Sequence, residues 1–303
     1  MRPKVLLLGC TGEVGSRLTL ALIASGYEVI GIHGVSQCTL ESPFHTCKEF
    51  DLLNPMASVP FNEIKADVLI HTSWITTPNI FWNSPKNYEW LEASKRIISS
   101  FEVSGGKFLV VTGSCAEYSW ETDEPISEGQ LELPETIYGK SKLDLLNWLR
   151  NRSIPYLWTR TFFQFGSNEP TGRLIPSLID SLLLGEKFHV KSGDDIRDFV
   201  YIEDIVRILQ GLILEEKVGV VNIGSGTGTR VEDLASNIGK LLGKEHLISY
   251  GKSSDSKSSI ISNPSRLICL YGEYDWTPLT TALTQSIEAR TLISTRSEWR
   301  PFQ

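Results

Sequence analysis

No run of basic residues, no long apolar segment and no C-x-x-C pair occurs in this chain of 303 residues. Each absence removes a class of function. Lys and Arg number 29 against 36 Asp and Glu, a formal net charge of −7, so no surface for nucleic acid is indicated. The apolar run at residues 5–8 is far too short for a signal-peptide core or a membrane span, and no later apolar run exceeds five residues. Five cysteines (Cys10, Cys38, Cys47, Cys115 and Cys269) are odd in number and scattered. That pattern argues against a disulfide framework and against a structural zinc, and leaves free thiols and no metal as the expectation. With 41% hydrophobic and 21% charged residues, disorder is excluded as the main state. A soluble, acidic, cytoplasmic protein of about two domains is expected.

What is present is an alternation of short β-branched or leucine-rich runs with stretches of helical period, the pattern of β-α units around a parallel sheet. Strands are predicted at residues 4–9, 27–32, 67–71, 107–112, 156–161 and 218–223, with a short further strand ahead of Asp51. Between the first two, Val14, Leu18, Ala21 and Leu22 mark one face of a helix. The fold expected is α/β, a doubly wound (Rossmann) parallel sheet in residues 1–165, with a segment at about 198–225 returning to it. Residues 166–303, punctuated by Pro170, Pro176, Gly185 and Gly193, are expected to form mainly a smaller, interleaved substrate-binding lobe.

The first strand runs into Gly9-Cys10-Thr11-Gly12-Glu13-Val14-Gly15. Glycines at this spacing let the backbone turn, let a pyrophosphate approach bare N–H groups and let the helix lie close to the strand, so the loop reads as a dinucleotide site. At the end of the second strand, where an Asp or Glu would hydrogen-bond the adenosine ribose, stands His33. No carboxylate there repels a 2′-phosphate and no arginine attracts one; His33, Ser36 and Gln37 are donors for it, and NADP is the favoured cofactor with NAD as the alternative. Asp51 is placed to hold the adenine amino group.

A second constellation is Tyr138-Gly139-Lys140-Ser141-Lys142 at the head of a helical stretch. The i, i+4 spacing puts Tyr138 and Lys142 on one face, and Ser114 follows a strand and so lies at the carboxyl edge of the sheet, where doubly wound folds bind ligands. Bringing a phenol from pKa ~10 to ~7 requires roughly 4 kcal/mol. An ammonium about 4 Å away at an effective dielectric of about 20 supplies roughly that. Tyr138 is thereby the candidate acid or base, and Ser114 a hydrogen-bond partner for the same substrate oxygen.

Taken with Thr112-Gly113-Ser114, Arg197-Asp198-Phe199-Val200-Tyr201 and Val221-Asn222-Ile223-Gly224, these residues resemble the extended short-chain dehydrogenase/reductases, in the NAD-dependent epimerase/dehydratase family acting on nucleotide sugars. The resemblance implies Ser114, Tyr138 and Lys142 as catalytic residues. It implies Gly9, Thr11, Gly12, Glu13, Val14, Gly15, His33, Asp51, Leu52, Thr72 and Ser73 around the cofactor, with Tyr138 and Lys142 at its nicotinamide end. Ser114, Cys115, Ala116, Arg173 and Arg197 fall to the substrate, Arg197 at its diphosphate unless it pairs with Asp195 or Asp198. A homodimer through the helix of Tyr138 and the long helix before it is also implied, with Leu145, Trp148 and Leu149 at the interface.

Departures from the family pattern narrow the reaction. The Asp-Glu pair that 4,6-dehydratases carry after the catalytic hydroxyl is here Cys115-Ala116, and Phe163 stands where many 4-epimerases have Asn. Glu117, Tyr118 and Trp120, together with Trp90, resemble the branch of 4-ketoreductases, as pocket residues or as core. The expected activity is NADPH-dependent reduction of the C4 ketone of a nucleoside-diphosphate 4-keto-6-deoxyhexose, with a 4-epimerase holding NAD as the alternative; a non-enzymatic NADP sensor would have no use for the three catalytic groups together. Cofactor and substrate are both polyanions, so a positive cleft is expected on the acidic surface.

Overall fold

Strand β1 (Lys4–Leu8) is buried on both sides, with Val5 and Leu7 in one apolar layer and Leu6 and Leu8 in the other. A strand reads as a continuous hydrophobic run when helices cover both faces of a parallel sheet, because successive side chains point to opposite faces. The computed structural model describes residues 3–34, 38, 40, 42–56, 59–122, 124–252 and 258–295; Ser36 and Gln37 lie outside them.

After β1 come α1 (Glu13–Ala24), β2 (Glu28–His33), β3 (His45–Glu49), α2 (Phe61–Ile64), β4 (Val68–His71), α3 (Lys86–Val103), β5 (Phe108–Ser114), α4 (Ile137–Leu149) and β6 (Tyr156–Thr161). The chain then leaves the sheet through β7 (Phe163–Phe165), α5 (Leu174–Leu184), β8 (Phe188–Val190), β9 (Ile196–Arg197), β10 (Phe199–Tyr201) and α6 (Ile202–Leu214), and re-enters it as β11 (Gly219–Ile223). The sheet is parallel throughout, in the order β11-β6-β5-β4-β1-β2-β3. Helices α1 and α6 cover the face of Val5 and Leu7, and α3 and α4 cover the other. Further on, α7 (Val231–Leu242) and α8 (Leu279–Thr295) pack with α5.

The order of the strands positions the site. The chain winds outward from β1 to β3, then crosses back to lay β4 on the other side of β1. That reversal opens a crevice at the carboxyl ends of β1 and β4.

Two expectations change. Strand β1 stops at Leu8 because Gly9 has φ +85°, and β5 runs on to Ser114, so that Ser114 is held by the sheet itself. Leu145 and Leu149 are fully buried against the sheet within this chain, so they cannot form the expected dimer surface; a helix covering a sheet is apolar for that reason alone. No helix among the described residues is long and apolar enough to cross a membrane.

Candidate active site

The loop after β1 is held by the Gly9 N–H bonding to the Ile32 carbonyl (2.8 Å) and the Gly12 N–H to the Gly9 carbonyl (3.0 Å). A Cβ on Gly15 would come 2.0 Å from the Gly9 oxygen, so only glycine lets α1 start this close to β1. No side chain among the described residues caps α1. Its first-turn N–H groups have no intrahelical acceptor and face the end of the sheet, a site suited to an anion. Gly9, Thr11, Gly12, Glu13, Val14 and Gly15 all line one cavity of about 750 Å³, together with Asp51, Leu52, Thr72 and Ser73. This bare cradle fits the pyrophosphate of a dinucleotide.

The same cavity reaches Ser114, Tyr138 and Lys142. Thr136 caps α4 by accepting the Gly139 N–H (3.1 Å), which sets Tyr138 in the first turn and Lys142 one turn on. The Lys142 ammonium donates to the Thr112 carbonyl (2.8 Å) and lies 3.9 Å above the Trp74 ring. Tyr138 is boxed edge-on by Phe81 (5.1 Å) and Trp82 (5.8 Å), and the Ser114 side chain lines the same cavity. In the chain alone burial pushes the Tyr138 phenol above its ordinary range, with Ser114 and Arg173 opposing it, and burial brings Lys142 down to about 7. The pairing argued from spacing is therefore one of position, while the expected lowering of the phenol by Lys142 does not appear in the chain by itself.

At the other end of the cavity the structure differs from the sequence reading. His33 does not line it; its Nδ1 donates to the neighbouring Gly34 carbonyl (2.8 Å). The strand register pairs His33 with Glu49, and Glu49 lines the cavity along with Gly34 and Asp51. Asp51 also accepts the Leu53 N–H (3.0 Å). A carboxylate thus stands beside the end of β2, brought there by β3, which no pattern local to residue 33 could reveal.

The whole cavity departs from the expected positive cleft. Its charged lining residues among those described are Glu13, Glu49, Asp51 and Glu169 against Lys142 and Arg173. Two of these carboxyls are quenched, Glu13 by Arg17 at 3.2 Å and Glu169 by burial, which raises it to about 7. Arg173 sits 3.5 Å from Glu169, and its Nε is buried with no hydrogen-bond partner among the described residues.

Residues 5–224 match the family model described as the NAD dependent epimerase/dehydratase family. The chain belongs to that family. It is an NAD-dependent enzyme of the extended short-chain dehydrogenase/reductase type. Among its relatives, UDP-arabinose 4-epimerase 1 of Arabidopsis thaliana is 24% identical over 94% of this chain and 77% of its own length. UDP-glucose 4-epimerase of Bacillus subtilis is 25% identical over 80% and 83%. The structure of UDP-glucuronic acid 4-epimerase from Bacillus cereus, in complex with UDP-glucuronic acid and NAD, superposes with a TM-score of 0.83 at 22% identity, covering 96% of this chain and 99% of that one.

Within this epimerase/dehydratase frame, several residues assigned from the sequence sit elsewhere. Ala116 is buried and absent from the cavity wall, its carbonyl turned against Gly139. Arg197 is committed to Asp195 (2.7 Å) and to the carbonyls of Ile196 and Ser258, so the ion-pair reading holds and it does not line the cavity. Glu117 and Tyr118 are core: Glu117 is bonded to Arg160 (2.6 Å), and the Tyr118 hydroxyl to Asn222 (2.8 Å). Trp120 stands behind the wall, against Trp82 and Phe163. Cys115, Phe163, Trp90 and Arg173 do line the cavity. Trp74, Phe81, Trp82 and Glu169 were missed; aromatic density at residues 74–90 was the signal available for the first three.

Proposed function

We propose that this enzyme is a nucleotide-sugar 4-epimerase that keeps NAD bound through its catalytic cycle. The observation that carries the reading is the convergence of Ser114, Tyr138 and Lys142 on the cavity that also holds the glycine loop. Bound NAD supplies a reversible hydride acceptor, and proton handling falls to the chain. Tyr138 takes the proton of the C4 hydroxyl and returns it to the oxygen when the carbon is reduced again, and Ser114, on the same cavity wall, orients that oxygen. Lys142, fixed by Thr112 and Trp74, is the cation beside them. Arg173, with its unpartnered Nε, is the cation for the substrate diphosphate.

Dehydration is disfavoured because Cys115 and Ala116 offer no acid or base: burial pushes the Cys115 thiol up to about 12. Retained NAD is favoured over consumed NADPH because a 2′-phosphate would meet Glu49 and Asp51, whereas a 2′-hydroxyl would donate to a carboxylate. The named 4-epimerases related to most of the chain support the same choice. The purified protein is expected to release NAD on denaturation and to interconvert a UDP-sugar with its C4 epimer with no cofactor added. Stoichiometric consumption of NADPH with a nucleotide 4-keto sugar, and no epimerisation, overturns the reading in favour of the reductase. Replacing Glu49 by Lys is expected to narrow the preference for NAD over NADP by about ten-fold, a change of about 1.4 kcal/mol, measured as the ratio of the two dissociation constants.

A further inference from the structure

Cys10 is far in sequence from Cys38, His45 and Cys47, and the four contain no C-x-x-C pair, yet their ligand atoms all lie within 4.8 Å of one another. Sheet geometry gathers them. His45 and Cys47 alternate on β3 and so share one face. Cys10 comes off the end of β1, and Cys38 belongs to the connection between β2 and β3. The strand between β1 and β3 presents Gly31 opposite Cys47. A Cβ on Gly31 would fall 2.6 Å from the Cys10 sulfur and 3.0 Å from His45 Nε2, so the missing side chain is what lets the two donors meet across β2.

We propose that these four residues bind one Zn²⁺ ion as a structural site beside the glycine loop. Zinc bonds of about 2.3 Å to sulfur and about 2.0–2.1 Å to nitrogen place tetrahedral ligand atoms roughly 3.5–3.8 Å apart. The cluster needs only small side-chain rotations to reach that spacing; Cys10 and Cys47 sulfurs are already 3.3 Å apart. His45 is oriented for the task. Its Nδ1 donates to the Leu40 carbonyl (3.2 Å), which leaves the lone pair on Nε2, and that Nε2 is buried with no hydrogen-bond partner among the described residues.

A disulfide between Cys10 and Cys47 would leave the His45 nitrogen and the Cys38 sulfur unused. Three sulfurs and an imidazole with no carboxylate select zinc over magnesium or calcium. Four protein ligands leave no open position, and Cys10 does not line the catalytic cavity, so the ion would be structural. It would tie the glycine loop to β3, whose end carries Glu49.

The test uses the full chain, purified reduced from zinc-supplemented culture and dialysed against metal-free buffer. One zinc per chain is expected. Reconstitution with Co²⁺ should give the thiolate-to-cobalt charge-transfer band and the strong d–d bands of tetrahedral thiolate coordination. Cys38→Ser and His45→Gln should each weaken zinc at least about ten-fold in competition with a chelator, while Cys269→Ser, at an exposed thiol, should retain full stoichiometry. The proposal is overturned by a folded, reduced wild-type chain that takes up neither metal, by zinc affinity unchanged in both ligand variants, or by a Cys10–Cys47 disulfide in protein that binds no metal.

Discussion

Replacing Tyr138 by Phe is expected to lower kcat by about 10²- to 10⁴-fold, the usual contribution of a positioned acid or base, with NAD still bound and the fold unchanged. The substitution removes one oxygen and nothing else. The ring keeps its edge contacts with Phe81 and Trp82, and α4 keeps its Thr136 cap. Lys142 remains on the Thr112 carbonyl and over Trp74, so the cation of the site is undisturbed. Steady-state turnover of the C4 epimers, with NAD content and thermal unfolding measured on the same preparation, separates loss of chemistry from loss of structure. Undiminished turnover in Tyr138→Phe would remove Tyr138 from the reaction. A fall accompanied by loss of NAD would instead give the phenol a binding role.

Glu117→Ala is expected to destabilise the fold by about 3–5 kcal/mol, the cost of breaking a buried ion pair from one side. Both partners of the pair have no solvent exposure. Glu117 accepts from Arg160 Nε at 2.6 Å, from Trp158 Nε1 at 3.1 Å and from the Ser114 N–H at 2.8 Å. Burial raises its carboxyl, and Arg160 opposes that shift; a group that only accepts hydrogen bonds here is a carboxylate. Alanine would leave the guanidinium, one of whose nitrogens already lacks a hydrogen-bond partner among the described residues, with Glu132 as its remaining carboxylate there (2.6 Å). The double variant Glu117→Met with Arg160→Met should lose much less, because no unpaired charge stays behind. Denaturant unfolding of the two variants checks this; an equal loss in both would show that packing, not charge, holds this part of the core. Glu117 also fixes the backbone of Ser114, so the single variant should lose activity even at temperatures where it remains folded.

What the sequence determined by itself is what neighbours along the chain encode. The continuous apolar runs of the strands specify a parallel sheet covered on both faces, the glycines after β1 specify a close strand-to-helix turn, and the four-residue spacing of Tyr138 and Lys142 puts them on one helix face. All of these are periodic or local. Strand register and crossing order were decided only by the tertiary structure, because pairing brings together residues that share no local pattern. Glu49 arrives beside His33 from the next strand. Arg197 is claimed by Asp195 rather than by the cavity, and Glu117 turns inward because Arg160 on β6 offers a buried counter-charge. The same cause gathers Cys10, Cys38, His45 and Cys47 across Gly31: their separation of up to 37 positions along the chain is cancelled by three adjacent strands lying side by side.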